Sequence, residues 1–199
     1  GSQWHYSGTY GIDMPAAWDL TTGSASQVVA VIDTGILPTH ADLAGRTVAG
    51  YDFIADSLMA NDGTGRDANP ADPGDWITYA ESVGGYFAGC PQTDSSWHGS
   101  HVAGTIGASS NNSVGVAGIN WVSKILPVRV LGKCGGYLSD IADGMRWAAG
   151  LAVGAGTGAV TAKVRAMNTA ATSRFMGSSS EATVLAPCRP RNRVVAAKH

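Results

Sequence analysis

Charge is scarce in this chain. Only 14% of its 199 residues are Asp, Glu, Lys or Arg, and they nearly cancel to a formal net charge of -2. That balance leaves no electrostatic basis for binding nucleic acid or an acidic membrane surface. Cysteine is also sparse: three residues are too few for the framework of a small disulfide-stapled fold. Long apolar runs are missing. No stretch approaches the roughly 18 to 20 residues that cross a bilayer, and no basic-then-apolar leader precedes Gln3. A soluble, already processed chain is therefore expected, with neither membrane nor nucleic acid as a partner. Repeats are lacking as well; the 27 glycines fall in short motifs, which points to tight turns and close packing.

What is present is a hydrophobic share of 44%, enough for one domain with a real core. "QVVAVIDTGI" (27–36) is a short β-branched run closed by Asp, Thr and Gly, the pattern of a strand buried on both faces. "RTVAGYDFI" (46–54) is a weaker strand candidate. From 55 to 96 the chain turns polar and reads as a long insertion loop, with Asp62, Asp67, Asp72 and Asp75 set among Gly and Pro. "HGSHVAGTIGA" has helical spacing, "SKILPVRVL" reads as another strand, and "YLSDIADGMRWAAGLAV" as a helix. In that helix Ser139 is the candidate cap, and the apolar face is Leu138, Ile141, Ala142, Met145 and Ala149. The alternation of strand and helix predicts an α/β fold: a three-layer, mostly parallel sheet with helices on both faces. Residues 1–153 form this portion. Over 154–199 the pattern decays into a feeble strand near Ala162 to Met167, Ser/Ala/Thr-rich sequence and a basic end, a divergent tail that reads as disordered or non-native.

Cys90 and Cys134 both lie in turn-rich stretches. A bond between them would close a loop valued by chain-entropy models at on the order of 4 kcal/mol and would imply an oxidising compartment. Two unpaired thiols are the alternative, and Cys188 is left over.

Asp33 sits at the carboxyl end of a predicted strand, where open α/β sheets gather their ligands. His98 opens the small-residue helix. The positive end of the helix dipole disfavours imidazolium there, keeping the ring neutral and available as a base. A carboxylate beside it would fix its tautomer, so Asp33 and His98 together are two parts of a nucleophile-activating system. A zinc reading competes for the same residues. His98 and His101 are three apart, whereas the zinc-hydrolase helix places its histidines four apart with Glu after the first, where this chain has Gly99. His101 is expected to be a structural, hydrogen-bonded residue of the helix.

"VVAVIDTGI", "HGSHVAGTIGA", "NNSVGVAGI" and "KILPVRVLGKCGG", in that order, resemble the motifs of the subtilases, the subtilisin-like serine peptidases. The match covers about residues 3–153, and its nearest likeness is to secreted bacterial proteases carrying the "GRDANPADPGDW" insertion and extra cysteines. The resemblance implies a subtilisin-like fold, truncated, and a secreted serine endopeptidase acting on peptide or protein substrates. Asp33 would be the triad aspartate, His98 the general base, and Gly135, Gly136 and Tyr137 the edge strand that holds an extended peptide. It further implies structural Ca2+, held by Gln3, Asp42, the Asn112 side chain and the carbonyls of Ser110, Val114 and Val116, all oxygen ligands suited to a hard cation. Asp62, Asp67 and Asp75 are candidates for a second site, or else a solvated acidic loop.

The resemblance stops after "RWAAGLAV". Neither the oxyanion asparagine nor a "GTSMAAP"-like serine segment is present. Three explanations stay open: a truncated or frame-shifted peptidase, a substitute nucleophile at Ser173, Ser178, Ser179 or Ser180, or a missing half supplied by another chain. A catalytically dead module that binds peptide or self-associates is the alternative function. Half a sheet would leave strand surface uncovered, so a homodimer or strand exchange around residues 125–170 is expected.

Overall fold

The computed structural model describes residues 3–153 and the two-residue strand Arg193–Val194. In chain order the helices are α1 (Met14–Leu20), α2 (Ser57–Ala60), α3 (Tyr79–Val83), α4 (His98–Gly107) and α5 (Leu138–Ala148). The strands are β1 (Val28–Asp33), β2 (Tyr51–Asp52), β3 (Lys124–Arg129), β4 (Gly136–Tyr137) and β5 (Arg193–Val194). β1, β3 and β2 form a parallel sheet in that spatial order, with Asp33 opposite Arg129 and Tyr51 opposite Val128.

The period-2 alternation of the strands sorts their side chains onto two faces. Val31 and Ile125 pack with Ile36, Leu43 and Ala103 beneath α4. Leu126, Val128 and Val130 pack with Tyr51, Phe53 and Trp147 beneath α5. Helices thus cover both faces, which is the three-layer arrangement expected from the strand–helix alternation. Burying each large apolar side chain is worth about 1.5–3 kcal/mol, so these two clusters supply most of the cohesion around the sheet.

Three local expectations change. The buried stripe of α5 is Asp140, Gly144 and Trp147, while Leu138 and Met145 are exposed. The helix turns this way because Gly144 has no side chain and can press on β3, where a Cβ would meet Val130 at 2.5 Å. In addition, the Asp140 carboxylate accepts from Arg66 and from the Ala55 N–H. Ser139 does not cap α5; Tyr137 occupies the N-cap position and makes no side-chain cap bond. The 55–96 segment is more than a loop: it contains α2 and α3 and buries Met59, Ala60, Ile77, Phe87 and Cys90 in a cluster with the preceding Ile54.

Cys90 and Cys134 are disulfide-bonded, tying that segment to the turn before β4. Beside the bond, buried Lys133 donates to Glu81 and lies over the rings of Trp76 and Phe87, at 5.0 and 5.1 Å from their centroids. Glu81 also closes a capping box with Thr78 at the start of α3. Lys133 and then the Thr78 donors hold the Glu81 carboxyl down to about 2, against 4.5 without them. The native state therefore releases this proton more readily than the unfolded chain, so the contribution is full above pH 4.5 and is lost as the pH falls towards 2. The denaturant midpoint of the native chain should exceed that of Glu81→Gln at neutral pH and converge on it near the acid end. A constant gap across that window would contradict the assignment.

Candidate active site

Asp33 is the last residue of β1, and the chain turns sharply after it. The Thr34 N–H donates to Asp33 Oδ1 at 2.7 Å, and Gly35 takes φ +104°, a left-handed conformation that glycine adopts without steric cost. The carboxylate is nearly buried. His98 is the first residue of α4, and its Nδ1 lies 2.8 Å from both Asp33 oxygens. A carboxylate only accepts, so Nδ1 carries the proton and Nε2 presents its lone pair. The His98 side chain is 57% exposed, so Nε2 faces open space where a reacting group can enter. This pairing fixes the orientation and tautomer of the imidazole, with a carboxylate behind it that would compensate an imidazolium formed in a proton transfer.

The helix start is built to deliver that ring. Trp97 precedes it at φ 50°, a conformation costing a bulky residue about 1–2 kcal/mol. Ser96 accepts from the His98 N–H at 3.4 Å and is itself gripped by Asp75, which accepts from its backbone N–H and its hydroxyl. Gly99 packs so closely on the β1 turn that a Cβ there would lie 2.1 Å from the Gly35 carbonyl oxygen. Its N–H donates to Thr34 Oγ1 at 3.0 Å, and the Thr34 hydroxyl donates to Asp72 at 2.7 Å. Burial raises the Asp72 carboxyl above its ordinary value, while the bonds from Thr34 and Gly74 pull it back. His101, expected to be a hydrogen-bonded helix residue, is exposed on α4.

Gly135 and Gly136 follow Cys134 through a turn in which Cys134 and Gly135 both have positive φ. Gly136 lies against β3, its Cβ position 2.3 Å from the Val130 carbonyl oxygen. Gly136 and Tyr137 pair antiparallel with Val194 and Arg193. The Tyr137 hydroxyl is 3.3 Å from that of Tyr86, which donates to Asp56 and is pushed up above its ordinary pKa chiefly by that carboxylate.

The residue-24–194 stretch matches the model described as "Subtilase family". This chain belongs to the subtilase family. The match runs past residue 153, where recognisable motifs end. The subtilase is 57% identical over 149 residues to an extracellular protease of Xanthomonas campestris, covering 74% of this chain and 25% of that relative. It is 54% identical over 151 residues to an extracellular basic protease of Dichelobacter nodosus, covering 74% of this chain and 24% of that relative. A solved structure of a protease from Pseudoalteromonas arctica superposes with TM-score 0.67 at 50% identity, covering 77% of this chain and 43% of that one. The chain thus spans about a quarter of the length of these two curated relatives.

Elsewhere in the chain, Gln3 and Asp42 both bond to the stretch that follows α4. Gln3 exchanges two hydrogen bonds with Ala117, Ser110 Oγ accepts from Gly118 N–H, and Asn112 Oδ1 accepts from Val114 N–H. Asn111, Ser113 and Gly115 alternate into the left-handed region. The Val116 N–H points at buried Asp42 at 3.4 Å, and a Cβ on Gly115 would lie 2.1 Å from the Asp42 carboxylate. Asp42 has no cationic side chain against it among the described residues. Asp62 and Asp67 flank the same Thr64 hydroxyl, at 3.0 and 2.9 Å, but Asp75 does not join them. Asp62 accepts from Arg129 and Thr64, Asp67 from Thr64 and Asn69, and Asp75 from Ser96. Among the described residues, no group of three or more His, Cys, Asp or Glu converges as a metal cluster would. Ser173 and Ser178 to Ser180 lie outside the described residues, as does the strand expected near Ala162. Thr34, Asp72 and Ser96 are the partners of the pair that sequence reasoning missed; short polar residues in turns carry no signal of tertiary bonding.

Proposed function

We propose that this chain carries the base and aspartate of a serine endopeptidase site that hydrolyses peptide bonds. The observation that carries the reading is the placement of both Asp33 oxygens 2.8 Å from His98 Nδ1, with Nε2 facing open space. Nε2 takes the proton from a serine hydroxyl as its oxygen bonds to the scissile carbonyl carbon. It then gives that proton to the amine nitrogen as the carbon–nitrogen bond breaks, and Asp33 compensates the imidazolium between the two steps. The nucleophile is the unfilled role, with Ser178 and Ser173 as candidates. Gly135, Gly136 and Tyr137 hold an extended peptide by strand addition. The antiparallel pairing of β4 with Arg193–Val194 supports this, since the edge of β4 is one that takes up an added strand. The same pairing favours the second reading, a peptide-binding module without catalysis, because strand addition needs no nucleophile. Secretion is the compartment that fits: the two relatives are named extracellular, and a disulfide is stable in oxidising surroundings. Self-association around residues 125–170 cannot use β3, which is paired on both sides by β1 and β2; the outer edge of β1, with β3 as its one strand partner among the described residues, would serve instead.

The 110–116 loop and Asp42 fit Ca2+. A buried carboxylate without a cationic partner among the described residues, side-chain amide oxygens, and a backbone repeatedly turned left-handed offer oxygen donors of the kind a hard cation takes. Bound there, the ion would compensate Asp42 and lock the loop against Gln3, holding the segment that follows α4.

A fluorophosphonate should label the chain on one serine, and His98→Ala should abolish the label. No labelled serine, with retained binding of an extended peptide, would move the conclusion to the module. Calcium at 100 times its Kd should stabilise the chain by about 2.7 kcal/mol, read as a rise in Tm that a chelator reverses and Asp42→Asn removes. A Tm insensitive to both would overturn the cation site.

A further inference from the structure

Behind the Asp33–His98 pair lies a second, buried carboxylate that the hydrolytic cycle does not use. Asp72 belongs to the polar segment between β2 and α4 and is 5% exposed. Its two oxygens have separate donors: Oδ1 accepts from the Gly74 N–H at 2.8 Å and Oδ2 from the Thr34 hydroxyl at 2.7 Å. A hydroxyl has one proton to give. Because Asp72 takes it, Thr34 Oγ1 presents lone pairs to the Gly99 N–H at 3.0 Å. Thr34 is the residue after Asp33, and Gly99 is the residue after His98. The same turn is fastened twice more to the Asp72 segment, by Ile36 N–H to Pro70 O and by Asp72 N–H to Ile36 O.

We infer that Asp72 and Thr34 are positioning residues of the pair, Asp72 orienting the Thr34 hydroxyl so that it clamps the first turn of α4 onto the Asp33 turn. The clamp has a definite purpose in this geometry. Gly35 and Gly99 meet without side chains, so their contact allows sliding, and the Thr34 bond is directional where that contact is not. With the hydroxyl oriented, both Asp33 oxygens stay equidistant from Nδ1. Without it, Gly99 loses its acceptor and the His98 turn is free to shift. An asparagine at 72 cannot substitute, because its amide offers one acceptor oxygen where two donors point, and its NH2 faces the other donor. This inference rests on the Asp33–His98 pair acting as proposed above.

The test is nitrogen-resolved NMR of the full chain with labelled imidazoles, His98 being assigned by the cross-peak that His98→Gln removes. The native chain and Thr34→Ser should show a low-field Nδ1–H cross-peak for His98. Thr34→Val and Asp72→Asn should lose it, while the amides of β3 keep their exchange protection. Should Asp72→Asn fail to fold, Thr34→Val, close to threonine in shape, decides alone. An unchanged cross-peak in the folded variants overturns the clamp and leaves the pair intact. Its absence from the native chain overturns both, and so separates the failure of the pair from the failure of the clamp.

Discussion

One buried guanidinium joins the parts of this molecule that have to meet. Arg129, at the end of β3, is wholly inaccessible, and its donors reach three different segments. Nε donates to the Thr34 carbonyl in the turn after β1, Nη1 to Asp52 of β2 and to Asp62 of the polar segment, and Nη2 to the Ala60 carbonyl at the end of α2. A planar, permanently charged fork suits this position better than lysine would, because it can bond in several directions at once. Burying it costs several kcal/mol before its bonds are counted, and two carboxylates offset that cost. Burial pushes the Asp52 carboxyl up to about 7 despite the pull of Arg129.

The Asp33–His98 pair inherits its geometry from that crossing. Parallel register sets Asp33 beside Arg129, and the Thr34 carbonyl bonded to the guanidinium belongs to the turn that orients the Asp33 carboxylate. Against the same turn, Gly99 brings α4 close enough for His98 to reach the carboxylate. The polar segment contributes from the other side: Asp62 to Arg129, Asp72 to Thr34 and Asp75 to Ser96. Asp62, Asp72 and Asp75 are thus held at three different points, which is why no three carboxylates of the segment gather as a cation cluster among the described residues.

Much of this was legible in the sequence wherever a local pattern decides the structure. The β-branched runs of β1 and β3 and the small residues of α4 follow from periodicity and side-chain size; turn composition allowed the Cys90–Cys134 pair without choosing it over two free thiols, and the fold decides it by bringing the two together. Asp33 and His98 were legible because each sits at an element end where its chemistry has a reason to be. The face of α5 was not, because Gly144 and Asp140 face the core only in the company of Val130 and Arg66. Nor were the helices of the 55–96 segment, whose Gly/Pro content masks a small core of its own. Arg129 itself reads as an unremarkable alternation in "PVRV"; its role exists only once the Thr34 turn, β2 and the 60–62 stretch have converged on it.

Equilibrium denaturation of Arg129→Met tests most directly whether this buried charge holds the site together. Methionine fills much of the volume but leaves Asp52 buried without its cation, and losing one partner of such a pair costs about 3–5 kcal/mol. The account predicts a loss of that size in unfolding free energy. A change within about 0.5 kcal/mol, the range of ordinary surface substitutions, would contradict it.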